Sequence, residues 1–324
     1  MTENKFSIFS SLVKLPCNQV LSVIYNYLSK HYKEVHKGSK YVYAIGNIPV
    51  ALVAHADTVF QKPPDEIFYD RKQKVIWGGS NGLGADDRAG IFAILEIVNR
   101  GYCPHVIITT DEELGSIGAR AFITEVKEPF AEIKYFIELD RRGYNDCVFY
   151  QCDNKEFINY ISSFGFVERK GTFSDISEIC PAWQIAGVNL SIGYIDEHTY
   201  SERLYVDYMY KTIEKVVQLL EDADNITTFE YVDMTPFEYY QKSSRLDSWC
   251  NGAILKCHKC GAKNEDYEMF YVQEQDGSNH FWCPDCVSTK AGWCEICGEP
   301  FETTANNTKF CYDCLEVLVN GKRD

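Results

Sequence analysis

The amino-acid sequence predicts an α/β protein with a mostly parallel, doubly wound mixed sheet covered by helices on both faces, followed by a small cysteine-rich module. Two observations predict the sheet. Short apolar segments alternate with segments of helical periodicity, and the segment IPVALVAH is apolar on both of its faces. A third observation predicts the module, because eight of the 14 cysteines lie in CxxC pairs within the last 68 residues.

The chain opens with a predicted helix and a predicted β-hairpin. Leu21, Ile24 and Leu28 recur at helical spacing, which predicts a helix over residues 18–37. The segment YVYAI, a Gly-Asn turn and IPVALVAH then predict a hairpin whose second strand is central in the sheet. His55 therefore stands at the C-terminal end of a buried strand.

The following segments continue the alternation. We predict strands at KVIWGG, HVIITT, KYFIEL and GVNLSIGY, and helices at RAGIFAILEIVNRG, GARAFITEV, KEFINYISSFGF and VDYMYKTIEKVVQLLEDA. Crossovers between parallel strands place such helices on both faces of a sheet. Residues 231–256 lose this alternation and are predicted to be a connector between a first domain, residues 1–230, and a module, residues 257–324.

Composition limits the classes of partner. The chain is 45% apolar and 14% aromatic, which supports a folded core, and its formal net charge of -15 argues against nucleic acid or anionic membrane as a partner. There is no apolar run of membrane-spanning length, and the N-terminal segment is too polar for a signal peptide. We therefore expect a cytoplasmic protein.

Acidic and histidine side chains follow several of the predicted strands or lie in neighbouring loops. Each one alone has a structural explanation, such as a turn, a helix cap or a charged first turn of a helix. Because ligands bind beyond the carboxyl ends of the strands in such sheets, we expect these side chains to converge at one edge. They are His55, Asp57, Asp86, Asp87, Glu112, Glu113, Asp140 and His198.

This set of side chains has the chemistry of a two-metal centre. Two histidines and several carboxylates, without cysteine, suit paired divalent ions such as Zn²⁺, Co²⁺ or Mn²⁺. Such a centre needs one carboxylate that bridges the ions and terminal ligands for each ion. The sequence supplies enough ligands for both.

The order of these motifs resembles that of the di-zinc exopeptidase superfamily, which includes peptidase T, carboxypeptidase G, the aminopeptidases of the bacterial leucyl type and related amidohydrolases. The resemblance covers about residues 40–222. It rests on HADTV, GADDRAG, DEELGSIGA, ELD and EHTYSE, which occur in the same order as in the superfamily. It implies a zinc-exopeptidase-like fold and a metal-dependent hydrolase of amide bonds.

The resemblance also implies a role for each motif residue. Asp86 would bridge the two metals, and His55, Glu113, Asp140 and His198 would be the terminal ligands. Two further residues would act beside the ions, namely Asp57, which would orient the imidazole of His55, and Glu112, which would be the general base. The peptide bond between Asp86 and Asp87 would be cis.

The chain departs from peptidase T and carboxypeptidase G in one respect. These relatives insert a lid or dimerisation domain between the last aspartate ligand and the last histidine, whereas only 57 residues separate Asp140 from His198 here. This favours an aminopeptidase or dipeptidase that acts on short peptides.

Two residues could contact the substrate. Arg141 could pair with a substrate carboxylate or neutralise negative charge near the metals. Asp175, on an expected loop, could bind a substrate ammonium group or form a turn.

The cysteine-rich module is predicted to bind two structural zinc ions. CxxC pairs suit tetrahedral thiolate coordination in a reducing compartment, in sequential or interleaved order. The two Cys₄ sites would use Cys257, Cys260, Cys283, Cys286, Cys294, Cys297, Cys311 and Cys314. Residues 250–324 contain seven Lys and Arg against twelve Asp and Glu, which favours a structural or protein-docking role over nucleic-acid binding. His258 and His280 are expected to be bystanders.

Three functional hypotheses remain open from the sequence. The first is a di-zinc aminopeptidase or dipeptidase. The second is an N-acyl amino acid deacylase or a carboxypeptidase with the same centre. The third is an adaptor that binds a protein partner through the zinc module and uses the peptidase fold as a scaffold, although the complete ligand set and Glu112 argue against it.

Overall fold

The computed structural model describes residues 1–235, 254–265, 269–294, 299–303, 309–312 and 315. The chain divides into two compact units, Met1–Asp233 and Met234–Asp324. Most of the predicted connector, residues 236–253, lies outside the described residues. Within the described residues, no helix is both long enough and apolar enough to cross a membrane.

The first unit alternates helices and strands. Its helices are α1 Glu3–Val13, α2 Cys17–Leu28, α3 Ala85–Asn99, α4 Ile117–Glu125, α5 Lys155–Ser163, α6 Asp175–Trp183 and α7 Val206–Glu221. Its strands are β1 Glu34–Lys37, β2 Tyr41–Ile45, β3 Ile48–His55, β4 Ile67–Asp70, β5 Val75–Gly78, β6 Pro104–Thr109, β7 Tyr135–Arg141, β8 Asp146–Val148, β9 Val167–Glu168, β10 Gly187–Ser191, β11 Tyr194–Ile195 and β12 Arg203–Tyr205.

Eight of these strands form one mixed sheet in the order β1-β2-β6-β3-β7-β10-β8-β9. The four central strands β6, β3, β7 and β10 are mutually parallel, whereas β1, β2 and β8 pair antiparallel with their inner neighbours. A second sheet has the order β11-β12-β5-β4. The predicted α/β class with a large mixed sheet and flanking helices is confirmed.

Two local predictions were wrong. The predicted hairpin does not form, because β2 and β3 both pair with β6, which lies between them. The predicted helix over residues 18–37 ends at Leu28, and its last part is the edge strand β1, which pairs with β2. In both cases pairing with a strand distant in sequence replaced the arrangement that local sequence favoured.

The central strand β3 connects the apolar layers on the two faces of the sheet. Because successive side chains of a strand point to opposite faces, Val50 and Leu52 pack in one apolar cluster and Ala51 and Val53 pack in the other. All four side chains are fully buried. The apolar run IPVALVA thus has a packing partner on each face, as expected for a strand covered by helices on both sides.

The second unit, over its described residues, consists of short strands and one helix. They are β13 Ile254–Lys256, β14 Lys263–Glu265, β15 Phe270–Gln273, β16 Asn279–Trp282, α8 Pro284–Lys290, β17 Ala291–Trp293 and β18 Pro300–Glu302. Strands β13 and β14 pair antiparallel, and the other four form a sheet in the order β16-β15-β18-β17. Its main apolar cluster contains Phe270, Val272 and Trp282, and three of the cysteines are part of it.

We expect Leu52→Ala to lower the free energy of unfolding by about 2–5 kcal/mol, because the truncation leaves a cavity between β3 and the helices packed on it. Equilibrium urea unfolding followed by circular dichroism measures the change. The matched control is Leu114→Ala, whose side chain is 70% exposed and should change stability by less than about 0.5 kcal/mol. Equal effects of the two substitutions would contradict a core position for Leu52.

Candidate active site

The parallel order of the central strands places the candidate residues at one edge of the sheet. His55 is the last residue of β3, and Asp140 lies at the end of the adjacent strand β7. Glu112 and Glu113 follow β6, which flanks β3 on its other side. Since the carboxyl ends of parallel neighbours meet at the same edge, residues far apart in sequence converge there.

Asp86 reaches this edge from the first turn of α3. The peptide bond between Asp86 and Asp87 is cis, as the resemblance implied, and both residues have non-helical backbone angles. The carboxylate of Asp87 accepts hydrogen bonds from the backbone N–H groups of Gly90 (2.9 Å) and His55 (3.2 Å). Asp87 thus connects the start of α3 to the end of β3.

Gly90 lets α3 lie directly against β7. A Cβ atom at this position would stand 2.2 Å from the carbonyl oxygen of Leu139, far inside van der Waals contact. Leu139 immediately precedes Asp140, so this close approach sets how near Asp86 can come to Asp140.

His198 comes from the loop between β11 and β12. Its backbone has a φ of 62°, in the left-handed region, and its side chain is 51% exposed. By contrast, the imidazole of His55 is almost completely buried. The candidate site therefore has a buried histidine on the sheet side and an accessible histidine at its rim.

The carboxylate of Asp86 stands between the two imidazoles. His55 Nε2 lies 3.2 Å from Asp86 Oδ1 and 3.3 Å from Asp140 Oδ1. His198 Nε2 lies 3.1 Å from Asp86 Oδ2 and 3.1 Å from Glu113 Oε2. Two three-residue groups therefore share Asp86, each with one imidazole and one further carboxylate.

These distances fit two divalent ions. With metal–ligand bonds of about 2.0–2.1 Å, two ligand atoms on a tetrahedral ion stand about 3.3–3.4 Å apart. The four N···O distances within the two groups are close to this value. The oxygens of Asp86 face different imidazoles, as a bridging carboxylate requires.

The electrostatics of the cluster also fit cations. Burial, with a further contribution from the charges of neighbouring carboxylates, raises the pKa of Glu112 to about 10, of Glu113 to about 7 and of Asp140 to about 6. Burial alone would lower the pKa of His55, but the charge of Asp140 and hydrogen bonds to the surrounding carboxylates hold it well above its usual value. Divalent ions would provide the positive charge that lets so many buried carboxylates ionise together.

Asp57 organises the residues around it. One carboxylate oxygen accepts a hydrogen bond from the backbone N–H of Glu112 (3.1 Å) and the other from that of Glu113 (3.2 Å). Asp57 Oδ1 also lies 3.3 Å from His55 Nδ1, within ion-pair distance but without the alignment of a hydrogen bond. The side chain thus holds the loop after β6 as well as standing behind the imidazole of His55.

Glu202, which is not among the predicted site residues, is buried beneath the turn before α3. Its carboxylate accepts hydrogen bonds from the backbone N–H groups of Gly84 (2.6 Å), Ala85 (3.0 Å) and Asp86 (3.0 Å). Burial and the charge of Asp86 raise the pKa of Glu202 to about 7, although these hydrogen bonds act in the opposite direction. The signal available in the sequence was its position four residues after His198 in EHTYSE.

The two candidate substrate residues have other contacts. Asp175 does not lie on a loop, as was expected, but begins α6, where it is fully buried and hydrogen bonded to the hydroxyl of Thr109. This burial leaves it no surface for direct contact with a substrate ammonium group. The guanidinium of Arg141 donates a hydrogen bond to the carbonyl oxygen of Lys170 at 3.0 Å.

The region behind Asp140 is a second feature that the sequence did not indicate. Tyr194 donates a hydrogen bond to Asp140 Oδ1 (3.0 Å), and the amide oxygen of Asn189 accepts one from the Asp140 backbone N–H (3.0 Å). Glu138 is fully buried nearby and accepts a hydrogen bond from Ser174 (2.5 Å). These contacts fix the orientation of Asp140.

The second unit brings four cysteines together. The sulfur atoms of Cys257, Cys260, Cys283 and Cys286 lie within 4.8 Å of one another. The backbone N–H of Cys283 donates to the sulfur of Cys257 at 3.2 Å. Burial opposes ionisation of Cys257, but backbone hydrogen bonds lower its pKa to about 6, which favours the thiolate that zinc requires.

For the second predicted Cys₄ site, the structure describes only half of the ligands. Cys294 and Cys311 are buried in one small apolar cluster with Phe301. Cys297 and Cys314 lie outside the described residues. This site therefore stays a prediction.

Comparisons with known proteins agree with this geometry. Residues 36–163 match the model of peptidase family M28. The fold is similar to that of aminopeptidase PepT from Bacillus cereus (TM-score 0.57, 16% identity, 68% of this chain and 98% of that chain). It is also similar to a tripeptidase from Staphylococcus aureus (0.54, 14%, 68% and 98%) and to a TET aminopeptidase from a marine sediment thaumarchaeote (0.54, 14%, 69% and 99%).

Among curated protein sequences no match was found. At these identities the structural similarities show a shared fold. The family match confirms the predicted resemblance and the prediction of a metal-dependent peptidase.

Metal removal tests the cluster. We expect chelation to lower the melting temperature and re-added Zn²⁺ to restore it, because ions that bind only the folded state stabilise it by about 2.7 kcal/mol at 100 times their dissociation constant. Differential scanning calorimetry measures the shift. Because the thiolate cluster also binds zinc in our prediction, Asp86→Asn is the control. A chelator response of unchanged size in this variant would contradict metal binding at the sheet edge.

Glu202→Gln tests whether Glu202 holds Asp86 in position. We expect metal affinity at the sheet edge to fall about 10–100-fold. The amide of glutamine has one acceptor oxygen for three backbone N–H groups, and the substitution also removes the negative charge next to Asp86. Competition with a fluorescent chelator measures the affinity. Glu125→Gln, whose carboxylate accepts a hydrogen bond from the hydroxyl of Tyr41, is the matched control and should keep the wild-type affinity.

Proposed function

We propose that the first unit is a di-zinc aminopeptidase or dipeptidase that acts on short peptides. The observation that carries the proposal is the position of Asp86 between two imidazoles, with one further carboxylate at each. In this proposal His55 and Asp140 hold one ion, Glu113 and His198 hold the other, and Asp86 bridges them.

The proposed reaction needs activation of a water and a carbonyl group, which metal ions would provide, and a proton acceptor, which the protein provides. Two divalent ions held by these five residues would lower the pKa of the attacking water and polarise the scissile carbonyl group. The protein supplies the proton acceptor. Glu112 Oε2 lies 4.0 Å from His55 Nε2, and Glu112 belongs to neither three-residue group. Its carboxylate is therefore available to accept a proton from the attacking water and to return it to the leaving amine.

Asp57 keeps Glu112 in place in this proposal. The carboxylate of Asp57 accepts hydrogen bonds from the backbone N–H groups of Glu112 and Glu113. One side chain therefore positions both the proposed base, Glu112, and the proposed ligand, Glu113. The side chain of Glu112 is buried, so a proton held there is shielded from exchange with bulk water. Positive charge in the site would favour the ionised form of Glu112 that a base requires.

The course of the chain between Asp140 and His198 supports an exopeptidase without a lid domain. This stretch forms α5, α6 and strands β8 to β11, all of which are part of the first unit. Substrate contacts must then come from loops at the sheet edge. The exposed apolar side chains of Leu114, Phe173 and Tyr200 lie in or beside loops that also carry Glu113, Ser174 and His198.

For the second unit we propose two structural zinc ions in Cys₄ sites and a role in docking a protein partner. The grouping of four sulfur atoms supports the first site. We propose a cytoplasmic location, because CxxC pairs suit thiolate coordination of zinc in a reducing compartment. Acidic residues outnumber basic ones in this part of the chain, so we propose no nucleic-acid partner.

Glu112→Gln tests the assigned base. We expect turnover to fall about 10²–10⁴-fold while both ions at the sheet edge are retained, because the substitution removes the proton acceptor and leaves the ligand atoms unchanged. Steady-state kinetics and metal analysis of the same preparation measure the two effects. Glu214→Gln, on the exposed surface of α7, is the control. Wild-type turnover in the Glu112 variant would refute the assignment.

The choice of substrate separates the three hypotheses. Zinc-loaded protein is given free-amine dipeptides, aminoacyl fluorogenic amides and N-acyl amino acids. Cleavage of the free-amine substrates supports the aminopeptidase or dipeptidase. Cleavage confined to N-acyl substrates would favour the deacylase or carboxypeptidase. Absence of turnover on all three classes, with metal analysis showing only thiolate-bound zinc, would favour the adaptor.

A further inference from the structure

The second unit contains a group of potential ligands apart from its cysteines. His258, Glu274 and His280 each place a ligand atom within 4.8 Å of the others. Two imidazoles and one carboxylate are a ligand set that zinc uses when one coordination position stays open. These two histidines were expected to be bystanders, because cysteines alone can fill the Cys₄ sites.

We propose that His258, Glu274 and His280 form a third type of metal site in this chain, a His₂-carboxylate site for a divalent transition metal such as Zn²⁺. The site lies on the surface. The side chain of His258 is 52% exposed, and that of Glu274 is 13% exposed. An ion bound there would keep at least one position for water or for a side chain of another molecule, in contrast to the closed Cys₄ site.

The contacts within the group already orient the ligands. His258 Nδ1 lies 2.9 Å from Glu274 Oε1, and the rings of His258 and His280 stack with centroids 3.8 Å apart. Glu274 Oε1 also accepts a hydrogen bond from the indole N–H of Trp282 at 2.8 Å. Since Trp282 is fully buried, this bond fixes the carboxylate from the protein side.

The backbone beneath the group is held by well-formed local structure. His258 lies between Cys257 and Cys260, and its N–H donates to the carbonyl oxygen of Phe281 at 2.8 Å. Glu274 follows β15 and begins the turn into β16, with its N–H bonded to the carbonyl oxygen of Ser278 at 2.7 Å. The imidazoles of His258 and His280 can therefore turn toward an ion while Glu274 and the backbone stay in place.

The local charge favours a cation. The carboxylate of Asp276 lies in the same turn as Glu274, and Lys259, which follows His258 in the sequence, is paired with Glu302 at 2.6 Å. Lys259 also stands over the ring of Trp282, 4.8 Å from its centroid. Its positive charge is thus compensated on one side, while the carboxylates of the turn remain to attract the ion.

Metal counting on the full-length, zinc-loaded chain tests the proposal. Free Zn²⁺ is raised stepwise in equilibrium dialysis, and bound zinc per chain is measured by mass spectrometry. We expect His280→Gln and Glu274→Gln each to bind one zinc fewer than the wild type at saturation. Glu274→Gln keeps an oxygen atom that can accept the hydrogen bond from Trp282, so a lower zinc content in this variant would not be caused by loss of that bond.

His36→Gln is the matched control. His36 also pairs with a carboxylate, Glu34, at 2.9 Å and stacks on an aromatic ring, but it belongs to no group of three ligands among the described residues. We expect the control to bind as much zinc as the wild type. Zinc released by a thiol-specific mercurial reagent should be equal in all four proteins, which shows that the Cys₄ sites are intact.

Nuclear magnetic resonance of the histidine rings identifies the ligands directly. We expect the ring signals of His258 and His280 to shift together and saturably with added Zn²⁺, and the shift of His258 to be lost in His280→Gln. Equal zinc content in the wild type and both variants, or ring signals that do not move with the metal, would overturn the proposal. Neither result depends on whether the first unit cleaves peptides.

Discussion

The arrangement of the first unit depends on the crowding of buried negative charge at the edge of one sheet. Glu112, Glu113 and Asp140 lie close enough that burial and mutual repulsion raise their pKa values, and the imidazoles of His55 and His198 stand among them. A folded chain tolerates such a cluster when bound cations compensate its negative charge. Strand order, the turn into α3 and the supporting carboxylates can all be understood as means of holding these groups together.

Much of the fold and of the site could be predicted from the sequence because each depended on local signals. The apolar segments around His55 and Asp140 marked buried strands, and the rule that ligands bind beyond strand ends joined them into one site. The failures were non-local. Strand β6 inserts between β2 and β3, and β1 replaces the end of a predicted helix, because pairing with distant strands outweighed local preference.

The same distinction explains which site residues were missed. Glu202 contacts no proposed ion and acts through three backbone N–H groups more than one hundred residues earlier in the chain. Its position in EHTYSE, four residues after His198, indicates that it lies near the site but does not indicate these contacts. Asp175 was expected on a loop, with a turn as the alternative to a substrate contact, whereas in the structure Ser174 caps a helix that carries Asp175 into the interior. Helix caps and turns use the same residue types, so composition did not separate them.

Gly90 has a consequence for how the sequence of this protein can vary among its homologues. The position is on a helix, where alanine would ordinarily be the better residue, yet any side chain there would collide with the carbonyl oxygen of Leu139. A shift of α3 away from β7 would make room for alanine, but it would also move Asp86 away from Asp140. Homologues that keep Asp86 close to Asp140 should therefore keep this glycine. A homologue with another residue at this position is expected to have lost catalytic activity.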